Sequence, residues 1–259
     1  MANKVTGTLA ILIDGDNASP KIISGLLAEI ANYGVASVKR VYGDWTGPNL
    51  KGWKASLLEH SLQPVQQFAY TTGKNATDGA MIIDAMDLLY TGRFSGFCIV
   101  SSDSDFARLA ARLREQGATV YGFGERKTPR PFITACDKFV YFDVLGGEAT
   151  DVEPTPAMPA VKAQPAVAPA KPTGRVPSLD KAALAMLATA VEASADEDGR
   201  AHLGQVGQHL AKQSPDFDAR NYGFARLSDL AEASGILVVE RVEGGPIMVR
   251  LKPKASANR

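Results

Sequence analysis

Thr8-Leu9-Ala10-Ile11-Leu12-Ile13-Asp14-Gly15-Asp16-Asn17 is the stretch that decides how this chain folds. Residues 8–13 carry no charge, and two acids then arrive within three positions. A continuous apolar run suits a strand buried on both faces, whereas a half-buried strand would alternate. Ser19-Pro20 follows as a helix N-cap with proline at the first helical position. Ile22, Ile23, Leu26, Leu27 and Ile30 then recur at helical spacing.

The alternation continues outward from there. Residues 35–42, 64–70, 97–100 and 119–123 read as strands, with 139–144 a candidate sixth. Residues 50–60, 78–90 and 103–116 read as helices, the last ended by Gly117. Strands alternating with helices predict an α/β domain, its parallel sheet covered on both faces.

Beyond residue 150 the composition changes. Seven of the fifteen prolines fall in 151–177, among alanines and almost no large apolar side chains. Such a segment buries no core and reads as an extended linker, with a reach of up to roughly 80 Å at ~3.1 Å per residue. The predicted organisation is a domain over 1–146, a Pro/Ala-rich linker over 147–177 and a smaller domain over 178–259. In the smaller domain, 179–193, 203–212 and 219–233 read as helices, and 236–242 and 247–251 as a hairpin. Three helices followed by a hairpin is the order of a winged helix-turn-helix, an α+β arrangement.

Lys plus Arg and Asp plus Glu both number 28, so any nucleic-acid surface must be a local patch. The two cysteines, Cys98 and Cys136, stand in apolar contexts without metal-ligand spacing, which predicts buried thiols in a reducing, cytoplasmic setting. No stretch approaches the roughly 18 apolar residues of a membrane span, and the N-terminus does not read as a signal peptide.

The acids fall where chemistry is expected in an open α/β sheet, beyond the carboxyl ends of the strands. Asp14 and Asp16 close the first strand, Asp78 opens the long helix, and Asp103 and Asp105 follow the fourth strand. With strand order 3-2-1-4-5, the first and fourth strands are neighbours and Asp14, Asp78, Asp103 and Asp105 converge. Taken singly, Asp103 is equally well a helix N-cap and Asp78 a helix-dipole acid. Together they form a repelling cluster that must hold protons or a cation. Oxygen ligands without His or Cys suit Mg²⁺ or Mn²⁺, and a pair of such ions is one way to hydrolyse a phosphodiester without a Ser, Cys or His nucleophile. Asp84 and Asp87 lie on the same helix but turn away from Asp78, which predicts solvated or supporting roles.

Three segments carry a resemblance: Leu-Ala-Ile-Leu-Ile-Asp-Gly-Asp-Asn, Gly-Lys-Asn-Ala-Thr-Asp-Gly-Ala-Met-Ile-Ile-Asp-Ala-Met-Asp, and Ile-Val-Ser-Ser-Asp-Ser-Asp-Phe. They resemble the motifs of NYN domains, which belong to the PIN-like nucleases. The resemblance spans about residues 8–145 and implies a three-layer α/β/α fold, Mg²⁺ or Mn²⁺, and RNA cleavage. It implies Asp14, Asp78, Asp103 and Asp105 as the metal-binding, catalytic acids. Asn17 matches the family's polar residue after the first acid and Lys74 its basic residue before the second, whereas Asp16 stands where relatives vary. Asn221 to Leu230 is similar to the central helix of OST-HTH, or LOTUS, domains, which implies a winged helix that binds RNA or, in some relatives, protein.

A nuclease must offset phosphate charge. Lys51, Lys54, Lys74, Arg108 and Arg112 are the candidates in the first domain, with Trp45 and Trp53 available to stack on unpaired bases. In the second, Arg220, Arg226 and the wing residues Arg241 and Arg250 are candidates. The expectation is a two-metal ribonuclease acting on single-stranded RNA, with a protein partner or self-association as further expectations. A non-cleaving RNA- or protein-binding adaptor on the same fold is the alternative. A haloacid-dehalogenase-type phosphatase fits less well, because Ala18 stands where that class has Thr or Val.

Overall fold

The computed structural model describes residues 7–68, 76–145, 179–241 and 245–253. The linker expected over 147–177 therefore lies outside the described residues.

Seven elements build the first part of the domain: β1 (Thr8–Asp14), α1 (Ile23–Ile30), β2 (Val35–Gly43), α2 (Trp53–Glu59), β3 (Gln63–Gln66), α3 (Ala76–Tyr90) and β4 (Gly96–Val100). They are followed by α4 (Ala107–Glu115), β5 (Thr119–Gly124), α5 (Arg130–Ala135) and β6 (Lys138–Tyr141). All six strands are parallel, in the order β3-β2-β1-β4-β5-β6. The reversal of strand order falls between β1 and β4, where Ile13 pairs with Val100. Along β1, Ala10 and Leu12 enter a core beneath α3, α4 and α5, while Leu9, Ile11 and Ile13 enter a second core beneath α1 and α2. Both faces of β1 are thus dry, which is why its sequence is continuously apolar, and the domain is a three-layer α/β/α sandwich.

Two local expectations change. The third strand is shorter than 64–70, ending at Gln66, and residues 69–75 lie outside the described set. Helix α5 was not legible, because Pro129 and Pro131 read as punctuation; Pro131 sits in the first turn, where a missing N–H costs nothing. Cys98 and Cys136 are buried and unbridged.

The C-terminal part has its own core around Leu187, Val206, Leu210 and Leu230. It comprises α6 (Lys181–Ser194), β7 (Ala201–His202), α7 (Leu203–Gln213), a 3₁₀ turn (Ala219–Tyr222), α8 (Leu227–Ala233), β8 (Leu237–Arg241) and β9 (Ile247–Leu251). The strands form an antiparallel sheet of order β7-β9-β8. The single helix expected over 219–233 is split, because Gly223 takes a left-handed φ of 84° that no helix interior accommodates. Among the described residues, no helix is long and apolar enough to cross a membrane.

Candidate metal centre

The site begins where β1 stops. Asp14 is fully buried, and its carboxylate accepts bonds from Asn17 Nδ2 at 2.7 Å, Ser101 Oγ at 2.8 Å and the Asp16 amide at 3.1 Å. Burial pushes the Asp14 carboxyl above its ordinary value, opposed by the bonds from Asn17, Ser101 and the Asp16 amide. Gly15 must be glycine here: its amide donates to the Tyr42 carbonyl at 2.9 Å, and a Cβ would sit 2.8 Å from that same oxygen.

Ser101 connects the first strand to the fourth. Its hydroxyl donates to Asp14 and accepts the Asp103 amide at 3.1 Å. Asp103 in turn caps the 3₁₀ turn Ser104–Phe106 by accepting the Asp105 amide at 2.9 Å. The capping role expected of Asp103 is therefore real, and one of its oxygens performs it. Capping does not exclude a ligand role, since a carboxylate has acceptor capacity on both oxygens.

Asp78 comes from the first turn of α3 and is 8% exposed. Asp78, Asp103 and Asp105 each offer a carboxylate oxygen, and these oxygens all lie within 4.8 Å of one another. Burial, followed by the charges of Asp14, Asp103, Asp105 and Asp16, pushes the Asp78 carboxyl up to about 6. The structure thus gathers three of the four expected acids into one ligand set, with Asp14 beside them. Oxygen-only donors around one point fit a hard divalent cation such as Mg²⁺ or Mn²⁺.

Contacts give two further acids supporting roles. Asp16 accepts a bond from Thr77 Oγ1 at 3.1 Å, tying the loop after β1 to the start of α3 next to Asp78. Asp84, expected to be solvated or supporting, is bonded by the Arg40 guanidinium and the Tyr42 hydroxyl, which anchors α3 to β2. Asp87 is exposed. Ser101 was missed altogether; its only sequence signal is a small polar residue directly after a buried strand.

The expected nucleic-acid residues divide. Asn17 is the hydrogen-bond donor that holds Asp14. Lys51 and Lys54 line a cavity of about 450 Å³ with Trp45, Leu50 and Leu57, and Leu50 packs against Gly15 beside the acid loop. Arg108 and Arg112 line a groove of about 490 Å³ with Ile82, Met86, Leu109 and Asp105 itself. Lys74 lies outside the described residues. Trp53 is corrected: it is 1% exposed in the core under α1 and α2 and has no face for a base. Arg226 is exposed at the start of α8. Arg220, by contrast, is bonded to Asp218 and to Glu29 of the α/β domain. Arg241 and Arg250 pair with Glu232 and Glu240.

Acids from the ends of the first and fourth strands and from a helix start, gathered at the carboxyl edge of a parallel three-layer sandwich, define a PIN-like nuclease fold. The chain belongs to the NYN domain family, whose model matches residues 8–145. A second family model, the OST-HTH/LOTUS domain, matches residues 175–249. Among solved structures, a protein of unknown function from Vibrio parahaemolyticus is similar at 18% identity and a TM-score of 0.45, over 54% of this chain and 96% of that one. An uncharacterized protein from Nitrosomonas europaea is 31% identical over 42% of this chain and 99% of that one, with a TM-score of 0.27. No curated protein matches the chain. The NYN domain implies the PIN-like nuclease superfamily, and the OST-HTH/LOTUS domain points to RNA binding.

Proposed function

We propose that the chain is a metal-dependent ribonuclease that hydrolyses phosphodiester bonds of single-stranded RNA, with residues 1–146 as the catalytic domain and 178–259 as an RNA-binding domain. The observation that carries this reading is the convergence of Asp78, Asp103 and Asp105 within 4.8 Å, backed by buried Asp14. Bound there, Mg²⁺ or Mn²⁺ would supply an activated water and neutralise charge on the phosphate.

The protein's own groups do the rest. Asn17 and Ser101 fix the Asp14 carboxylate, and Ser101 also fixes the Asp103 backbone, so the acids from β1 and β4 keep one spacing. Asp16 and Asp84 fix α3 and hence Asp78. Arg108 and Arg112 on one side, and Lys51 and Lys54 on the other, offer cations to the phosphates flanking the cleaved bond. Trp45, which lines the same cavity as the lysines, offers apolar surface to a base. In the reaction a water oxygen bonds to phosphorus, the P–O ester bond breaks, and the leaving oxygen takes up a proton.

Labelled single-stranded RNA and DNA incubated with Mg²⁺, Mn²⁺ or EDTA, read on denaturing gels, test this. RNA should be cut with either ion and spared in EDTA. RNA that is bound but stays intact with both ions would leave a non-cleaving adaptor instead.

A further inference from the structure

We propose that the C-terminal domain is a docked platform rather than a free tethered one, and that Ser214–Tyr222 is its docking segment for the edge of the nuclease sheet, not an RNA contact.

The contact runs the length of β6. At the amino edge of the sheet, Arg220 Nη1 and Nη2 reach the two Glu29 oxygens at 2.9 and 3.0 Å, and Lys138 Nζ stands 3.7 Å from the same carboxylate. Midway, the Phe139 amide, on the outer edge of β6, donates to the Pro215 carbonyl at 2.8 Å. At the carboxyl edge, Asp216 accepts Arg130 Nη1 at 2.9 Å and the Tyr141 hydroxyl at 2.9 Å, and Arg126 Nη2 donates to Asn221 Oδ1 at 3.0 Å. A parallel sheet with an open edge leaves N–H groups unpaired, and here the second domain covers that edge.

The signs of charge fix the orientation. The nuclease domain is negative at Glu29 and positive at Arg130, and the C-terminal domain is positive at Arg220 and negative at Asp216. Turning the domain end for end would set Glu29 against Asp216 and Arg130 against Arg220, so only one approach is electrostatically favoured.

Arg220 is also poorly suited to RNA. Its Nε and Nη2 bond Asp218 at 3.0 and 2.7 Å while Nη1 and Nη2 bond Glu29, so every guanidinium nitrogen faces a carboxylate. A phosphate would have to displace two acids and sit beside their charge. The docking segment is close to the chemistry as well. Arg126 and Arg130 follow Glu125, whose amide donates at 2.9 Å to Ser102 Oγ, next to Asp103.

The test uses the intact chain and does not depend on nuclease activity. Small-angle scattering and amide hydrogen exchange are measured on the wild type, Glu29→Arg, Arg220→Glu and the double swap. The wild type should scatter as one compact body and protect the Phe139 amide. Each single reversal should enlarge the particle and speed Phe139 exchange by roughly tenfold or more, without exposing the β4–β5 amides, and the double swap should recover part of both, since Asp218 and Lys138 keep their charges beside the exchanged pair. An extended wild type, or reversals that change neither readout, would overturn the proposal. Circular dichroism confirms that each variant keeps its fold, and two independent single variants guard against one failing. Binding of labelled single-stranded RNA to Arg220→Ala is the last arm: lost affinity in a particle that stays compact would return Arg220 to the RNA surface and refute the assignment.

Discussion

Asp78→Asn separates a metal ligand from a helix-start acid by the sign of its effect. Burial, followed by the charges of the neighbouring acids, lifts the Asp78 carboxyl from 3.8 to about 6. An acid whose folded pKa is raised binds its proton more tightly when folded, so metal-free stability falls as pH rises from about 4 to about 6. The lift corresponds to about 3 kcal/mol at ~1.4 kcal/mol per unit. Asp105 is exposed, so water reaches the cleft; halving the figure for that screening leaves about 1.5 kcal/mol. Loss of the favourable helix-dipole interaction takes back roughly 0.3–1 kcal/mol. The metal-free variant should therefore be more stable than wild type by roughly 0.5–1 kcal/mol at pH 7.5, a rise of a few degrees in Tm. At pH 5 the wild-type carboxyl is largely protonated and the advantage should shrink towards nothing. With Mn²⁺ the order should invert, because the wild type gains stability from the ion and the variant gains less. Thermal melts at both pH values, with EDTA or Mn²⁺, make the measurement. A variant that is destabilised without metal at pH 7.5, yet gains as much from Mn²⁺ as wild type, would refute the reasoning and leave Asp78 a helix-start residue.

Three further outcomes follow from the same geometry. Ser101→Ala removes one buried bond to Asp14 and the acceptor of the Asp103 amide, so it should cost about 1–3 kcal/mol in denaturant unfolding and lower turnover without abolishing Mn²⁺ binding. Arg108→Ala and Lys54→Ala should each raise KM for RNA while sparing kcat, and each should reduce the slope of log affinity against log salt by about 1 in filter-binding titrations. Docking should survive mild acid: despite their burial, Glu29 is held below its ordinary value by Arg220, Tyr33 and Lys138, Asp216 by Ser214, Tyr141 and Arg130, and Asp218 by Arg220. Stability from depressed carboxylates is present above their ordinary values and lost as pH falls through the lowered ones, so scattering at pH 5 should match pH 7.5 and expansion should appear only below about pH 4.

Local patterns carried the sequence reading a long way. The uncharged run from Thr8 to Ile13 suits a strand dry on both faces, and its abrupt end at Asp14 marks the carboxyl edge of the sheet. Periodicity and turn residues likewise placed α3, α4 and the second domain's hairpin, because side-chain spacing is a property of the chain itself. What periodicity does not contain is the partner across the fold. Ser101 meets Asp14 from 87 residues away, Thr77 meets Asp16 from 61, and Arg220 meets Glu29 from 191. Nothing local distinguishes Trp53, sealed in the core, from Trp45 beside the lysines, nor Arg220, enclosed by carboxylates, from exposed Arg226. The kinds of groups available were written in the sequence; which of them face a cleft, a core or another domain was decided by tertiary packing, since burial and charge pairing depend on neighbours that only the folded chain supplies.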